Sequence, residues 1–558
     1  MSSINSVAKK IVEIAIFASL LVFVFIPVFY LFTFILLKWH EIYGEIFANP
    51  LIGSLYWTQI KRSLGLSFRL AFLTLIIDLM LGIPIAYFIA RKKFPGKAIV
   101  ENIITLPLVI PTSGFGFALL ITWTASESLP ALLGLRTRID YVIPFVDVPL
   151  LMLLVHVSLT FPYIVKTVSA SLYDLEKAYE IISESLGAHP LTTFRKVTLP
   201  LIVPSILSGS VLSFARSLGE TGATMVVSGV STTASIAIVR WELQNRVAPA
   251  AFLGGVLVAL ALLLILPIEY IFAKNRKSYI HGMPKTLEEN VIKIERKVSP
   301  KLSPLLGLAS ILFLVFIVIL PIATLFTHTI NYWSSEPYTG RYEGSVLYQL
   351  FGPSQYFYSI VKAMSTSFIT ALLSSFLSAY LAILAIFIIA KTRYGRIIRI
   401  LLKVPLVIPT SALGLSMILF WGPYGLKVFN PGIWLIVFTH VVFSTPIIVE
   451  TGLASYESAR TAFYEETART LGASFYDVTE TISLPMIKRG LFAGSILAFT
   501  HSLGETGATL LVMGKEVTVS ALVVSLVESL AIPAALFASA LLVVISLMLL
   551  TVFVKLLK

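Results

Sequence analysis

The sequence predicts an all-α polytopic membrane protein of about 12 transmembrane helices, laid out as two parallel six-helix repeats. Three observations predict it. Of 558 residues, 57% are hydrophobic and only 13% are charged, where a soluble protein carries about a quarter. The apolar residues fall in runs of about 20 or more, the length that crosses the hydrocarbon core. Three short motifs also recur, in the same order, in both halves of the chain. Together these exclude a soluble enzyme, a disordered regulator and a secreted disulfide scaffold. Cysteine is absent, which further excludes Cys-ligated zinc, iron–sulfur clusters and thiol catalysis.

The first apolar run, 11–37, follows Lys9 and Lys10. It is too long for a signal-peptide core and no small-residue cleavage site follows it, so it reads as a retained helix. The remaining spans of the first half fall at about 64–90, 98–121, 147–172, 199–228 and 250–273. Those of the second half fall at about 303–327, 358–390, 397–420, 431–454, 486–512 and 531–556. Gly, Ser and Thr interrupt the fifth span of each half. A first half at 1–273, a polar linker at 274–302 with Pro284 and Pro300, and a second half at 303–558 follow from this layout.

The formal charge of +13 does not point to nucleic acid, because the basic residues sit in short gaps between apolar runs. Arg91, Lys92, Lys93 and Lys97 follow the second span, and Lys391, Arg393, Arg396 and Arg399 follow its counterpart. The stretch from Lys274 to Lys301 adds eight basic and three acidic residues. With twelve spans and the N-terminus inside, all these clusters face the cytoplasm, so both termini are expected there in the cell membrane.

The repeats are explicit. Leu106–Ser113 returns as Val404–Ser411, Ser185–Ala188 as Thr470–Ala473, and Ser217–Thr224 as Ser502–Thr509. The offset is 298 residues at the first pair and 285 at the other two. An even number of spans per half makes the repeats parallel, related by an axis along the membrane normal.

Two intramembrane segments are candidates to line a pathway. Pro107 and Pro111, like Pro405 and Pro409, lie four apart in the third span of each half. Each proline removes a backbone donor and strains the preceding turn. Thr112, Ser113, Thr410 and Ser411 add hydroxyls at the same depth. In the fifth spans, Glu220 and Glu505 are ionisable groups within the membrane, which marks a functional candidate. Arg216 and His501 each precede a glutamate by four residues, a spacing that permits an ion pair. Thr221, Thr224, Thr506 and Thr509 complete this set, and the adjacent glycines permit close helix approach. Counting a continuous helix from Pro200 places Glu220 about 30 Å along it, toward the external end. His156 and His440 occupy equivalent places and read as packed, hydrogen-bonded histidines, without the clustered partners of a metal site.

The loop between the fourth and fifth spans is the most specific signal. In the second half Gly472 sits where a short helix should stop. Ser474 and Asp477 then form a capping box for the next helix. In the first half Gly187 ends the helix, and Pro190 suits the first turn of its successor. This pattern resembles the Glu-Ala-Ala…Gly…Ile-x-Leu-Pro loop of ABC importer permeases. The second half matches at Glu466, Ala468, Gly472, Ile482, Leu484 and Pro485. The first half keeps Gly187, Leu199 and Pro200, with Val197 for the isoleucine. Ile181, Ile182 and Ser183 stand where Glu-Ala-Ala would be, and Glu180 and Glu184 are the neighbouring candidates to substitute.

The resemblance implies that each loop is a coupling helix that docks on an ATPase subunit. It implies two copies of that nucleotide-binding subunit and an extracytoplasmic substrate-binding protein as partners. The chain has no G-x-x-x-x-G-K-[ST] loop to cradle phosphates, so ATP is expected to be hydrolysed by the partner. No cofactor is expected here, and no enzymatic activity. Phe214–Thr224 also resembles a segment of molybdate, tungstate and sulfate permeases, which implies an inorganic oxyanion as substrate. Phosphate permeases carry something similar, and two fused halves are the format of iron(III) and thiamine permeases, so these cargoes stay open. An ion-coupled secondary transporter, which also favours duplicated halves, is the rival mechanism.

Overall fold

The computed structural model describes residues 17–274, 285–392 and 394–557. Between its turns and loops these residues are helical, except for one small hairpin where Val142–Ile143 pairs antiparallel with Val148–Pro149. Among the described residues, ten helices are long and apolar enough to cross a membrane, and twelve if each of two bent pairs counts as one span. The expected Lys9, Lys10 and start of the first span lie outside the described residues, as does part of the expected linker, 275–284. From Lys285 the linker is helical and runs without interruption to Leu314.

Two equivalent three-helix groups form the frame. In the first half, Ile52–Arg91 packs on Leu150–Asp174 and on Leu199–Gly219. In the second, Tyr356–Lys391 packs on Ile433–Ser458 and on Leu484–Gly504. Ile52–Arg91 has 40 residues, about 60 Å of helix, so it extends well beyond the hydrocarbon core.

Each half reaches across to the other. The first-half helix Ile26–Leu37 lies against Thr410–Trp421, and the second-half helix Leu320–Asn331 lies against Thr112–Thr124. The core is therefore shared: buried Leu31 and Val28 belong to the same apolar cluster as Leu413 and Met417. Ser416 Oγ donates to the carbonyl of Pro27, which satisfies a hydroxyl that would otherwise be stranded in apolar surroundings.

The third spans are broken rather than kinked. Lys97–Val109 and Thr112–Leu132 meet at 109°, and Gly395–Val407 and Thr410–Trp421 at 106°. Ile110 and Ile408, each preceding a proline, are extended at ψ 134° and 132°. Proline forces this on its predecessor by clash with the preceding backbone. The fifth spans break too. The helices Leu199–Gly219 and Leu484–Gly504 stop, and Glu220 and Glu505 are extended before a short helix resumes at Gly222 and Gly507. The continuous helix expected from Pro200 to Glu220 thus ends one residue before the glutamate, where glycine and an extended residue interrupt the ladder.

Candidate functional site

Breaks in the third and fifth spans meet where the two halves cross. Gly219 lies against Pro409, whose Cα would stand 3.0 Å from an added Cβ, and Gly504 stands in the same relation to Pro111. Gly222 faces Thr506, and Gly507 faces Thr221 and Thr410. Glycine is required here by close approach, since a methyl group on any of these would meet atoms of the opposite half. The structure thus brings Pro111, Thr221, Pro409, Thr410 and Thr506 together at one crossing.

The fifth-span breaks are stapled by the fourth spans. His156 bridges Ser217 Oγ at 2.8 Å and Thr224 Oγ1 at 2.9 Å, one residue on each side of the break. His440 does the same with Ser502 at 2.6 Å and Thr509 at 2.9 Å. Each imidazole thereby ties the two sides of the break together through side-chain hydroxyls, which suits packed rather than metal-binding histidines. Among the described residues no group of three or more His, Cys, Asp or Glu side chains could hold a metal ion.

The glutamates cap the short helices. Glu220 Oε1 accepts from the Ala223 N–H at 3.1 Å, and Glu505 Oε1 accepts from the Ala508 N–H at 3.1 Å. Arg216 pairs with Glu220 Oε2 at 2.8 Å, as its spacing predicts. The second half differs. His501 makes no such pair with Glu505, and its ring packs edge-on against Phe443. Arg216, Glu505, His501, Tyr163 and Thr112 instead surround one cavity of about 30 Å³, room for little more than water. A single guanidinium therefore serves a crossing with two carboxylates. Pro107 and Thr112 reach this cavity, whereas Ser113 and Ser411 are fully buried with unpaired hydroxyls. Pro405 is also buried, within the helix that precedes the second break.

The loops expected to couple have the predicted shape. Gly187 and Gly472 take φ of +94° and +93°. Around each, the carbonyls of the ending helix accept from the turn: Ala188 donates to Ser183, and Ala473 donates to Ala468. Ser474 and Asp477 form the capping box, with Ser474 N–H donating to Asp477 Oδ2 at 3.1 Å and Asp477 N–H donating to Ser474 Oγ at 3.2 Å. Pro200 and Pro485 each occupy the first turn of the helix that leaves the loop.

In the first half the buried acid is Glu180, one of the two candidates; in the second it is Glu465, one residue before the Glu466 that the motif marks. Glu180 accepts from Arg91 Nε at 3.1 Å and from Thr198 Oγ1 at 2.9 Å. In the second half Glu465 holds the equivalent place, accepting from Tyr456 at 3.1 Å and from Ser483, with Lys391 Nζ at 3.5 Å. Glu184 and Glu466 are exposed. Glu465 was discoverable: the offset of 285 that aligns Gly187 with Gly472 also aligns Glu180 with Glu465. Leu186 and Leu471, at the tips of the turns, are 83% and 84% exposed.

Fold and site define a polytopic helical protein whose broken third and fifth spans meet at one crossing and whose two halves carry matched helix–glycine–helix loops. The chain belongs to the family of binding-protein-dependent transport system inner membrane components, whose pattern matches residues 82–277 and again 381–558. It is an ABC importer permease, the membrane-spanning transport subunit. The molybdate/tungstate transport system permease protein of Pyrococcus furiosus is 27% identical over 262 residues, covering 47% of this chain and 94% of that protein. The sulfate transport system permease protein of Salmonella typhimurium is 28% identical over 239 residues, covering 42% and 80%. The "Probable sulfate transport system permease protein" of Chlorella vulgaris is 30% identical over 236 residues, covering 42% and 84%. Each such relative corresponds to about half of this chain.

Proposed function

We propose that the chain imports a tetrahedral inorganic oxyanion, molybdate, tungstate or sulfate, through the crossing between its halves. In this reading 1–273 and 303–558 are the two six-span halves, 274–302 links them, and both termini are cytoplasmic. Two copies of an ATPase subunit dock at the loops around Gly187 and Gly472, and an extracytoplasmic binding protein delivers the anion.

The observation that carries the reading is the set of donors at the crossing. The helices Thr112–Thr124 and Thr410–Trp421 begin there, and helix N-termini favour anions. Arg216, paired with Glu220, offsets the carboxylate charge that an anion would meet there, and Thr112 and Thr410 add hydroxyls. The names of the relatives favour the same cargo. For the coupling role, support comes from the paired positive-φ glycines and from the exposed Leu186 and Leu471, apolar tips that suit a cleft on a partner.

Competition uptake tests this. With its ATPase and binding protein, the chain should take up radiolabelled molybdate or sulfate, and unlabelled tungstate should compete. Uptake of iron(III) or thiamine with no inhibition by these anions would leave the family standing and replace the cargo. Uptake driven by an ion gradient without ATP would favour the secondary-transport mechanism.

A further inference from the structure

We propose that the first half carries a second anion site, an extracytoplasmic vestibule that holds a small divalent inorganic oxyanion ahead of the crossing. The proposal rests on the oxyanion reading above. A cavity of about 560 Å³ lies between the start of Ile52–Arg91, the hairpin around Val142–Pro149 and the helix Ala234–Leu243. Four arginines line it, Arg62, Arg69, Arg240 and Arg246, against one carboxylate, Asp147. Asp147 is taken by Arg69 at 2.9 Å. Among the described residues Arg240 donates only to Thr232 Oγ1, at 3.3 Å, and Arg246 lies 5.9 Å from the centre of the Tyr56 ring. Three guanidinium groups thus share one concavity with no carboxylate bound to them among the described residues.

Placement makes this charge informative. Arg62 stands 29 residues before Arg91 on one helix, about 44 Å away, and Arg91 marks the coupling-loop face through Glu180. The cavity is therefore at the opposite end of the molecule. Membrane proteins concentrate arginine on the cytoplasmic side, so an arginine cluster at the other end needs a separate reason. A cleft lined by one sign of charge focuses its field and concentrates counter-ions. Guanidinium forks match the paired oxygens of an oxyanion.

The fold itself does not require the charge, because the second half builds the same frame without it. Ser67 Oγ accepts from the Ala234 N–H at 2.8 Å, and Ser367 Oγ accepts from the Val519 N–H at 2.9 Å. Aligned on these bonds, Arg62, Arg69, Arg240 and Arg246 correspond to Lys362, Ile369, Ser525 and Ala531. Lys362 has its own partner in Glu516 at 3.8 Å. The vestibule is also tied to the crossing. Ser235 Oγ donates to the Leu218 carbonyl at 3.2 Å, two residues before Glu220, so the helix that carries Arg240 starts at the break.

The test is equilibrium dialysis of the purified full chain with radiolabelled molybdate, beside oxyanion uptake by the assembled transporter. Wild type should bind saturably, near one molybdate per chain, and more weakly as salt rises. Arg62→Ala with Arg240→Ala should raise the half-saturating concentration about tenfold or more. Arg62→Lys with Arg240→Lys should recover part of it, and Lys362→Ala should change nothing. No saturable binding, or binding indifferent to the double alanine variant, would overturn the vestibule. So would intact anion binding alongside lost capture of the binding protein, which would make these arginines a protein-docking face. If the vestibule binds molybdate but the transporter does not import oxyanions, the cargo assignment fails and the site stands. Normal oxyanion uptake with no such binding has the reverse meaning.

Discussion

Gly222 and Thr506 meet across the two halves with no room for one more carbon: a Cβ on Gly222 would stand 2.5 Å from the Cβ of Thr506. The pseudo-symmetric contact, Gly507 against Thr221, is nearly the same at 2.7 Å. The closed crossing therefore packs a glycine of each half against a threonine side chain of the other, and anything that widens it must part both pairs together.

Gly222→Ala should destabilise this closed packing by about 1–3 kcal/mol, the usual cost of overpacking. Thermal unfolding in detergent should show a lower midpoint, and Thr506→Gly in the same chain should restore part of it. An unchanged midpoint in the single variant would mean that the contact is not formed.

Arg216→Ala should cost more, about 3–5 kcal/mol, because it strands Glu220 as a buried charge without its partner. Adding Glu220→Gln should recover stability. It should not recover oxyanion uptake, since the guanidinium at the crossing is still missing. Recovery of both would make the pair purely structural.

Replacing Gly187 or Gly472 by valine should disturb the loop turns, because a β-branched residue resists positive φ, at a cost of about 1–3 kcal/mol each. The loops are exposed, so the permease should still fold. ATP hydrolysis by the assembled transporter should uncouple from transport, or the ATPase should fail to bind. Full ATP-driven uptake by the double variant would contradict the coupling role.

The helical part of the expected linker is fastened to the first-half loop. Arg195 holds Glu295 by two hydrogen bonds of 2.5 and 3.1 Å, and Thr192 donates to it at 2.7 Å. These bonds, Arg195's foremost, hold the Glu295 carboxyl below the usual carboxylate range. A lowered folded-state value stabilises above the ordinary glutamate pKa, about 4.3, and the contribution is lost as pH falls through the folded value. The difference in melting midpoint between wild type and Glu295→Gln should be constant from about pH 5 to pH 8 and shrink below about pH 4. A difference that already varies between pH 6 and 8 would place the linkage elsewhere.

Much of this architecture was legible in the sequence, because each legible feature is local. Run length marks the spans, the motif repeat marks the halves, and Gly472 with Ser474 and Asp477 specifies a turn within a few residues. The proline pairs announced strain, but not bends of 109° and 106°, which depend on what packs against the freed ends. The pairing of His501 with Glu505 failed because spacing brings two side chains near without deciding between a carboxylate and the face of Phe443. The vestibule arginines were invisible for a different reason. Arg62 and Arg240 are 178 positions apart, and only the fold brings them to one cavity.

The most direct measurement uses the absence of native cysteine. An added Cβ at Gly504 would lie 3.5 Å from the Cβ of Pro111, within the range of a disulfide. The chain with Pro111→Cys and Gly504→Cys, assembled with its ATPase and binding protein, should keep part of the wild-type oxyanion uptake when reduced, lowered because a Cβ at Gly504 stands 3.0 Å from the Cα of residue 111 and the crossing must give slightly to take it. Oxidation should crosslink the crossing and stop uptake, and a reductant should restore it. Undiminished uptake by the fully crosslinked protein would show that substrate does not pass between the halves at this point.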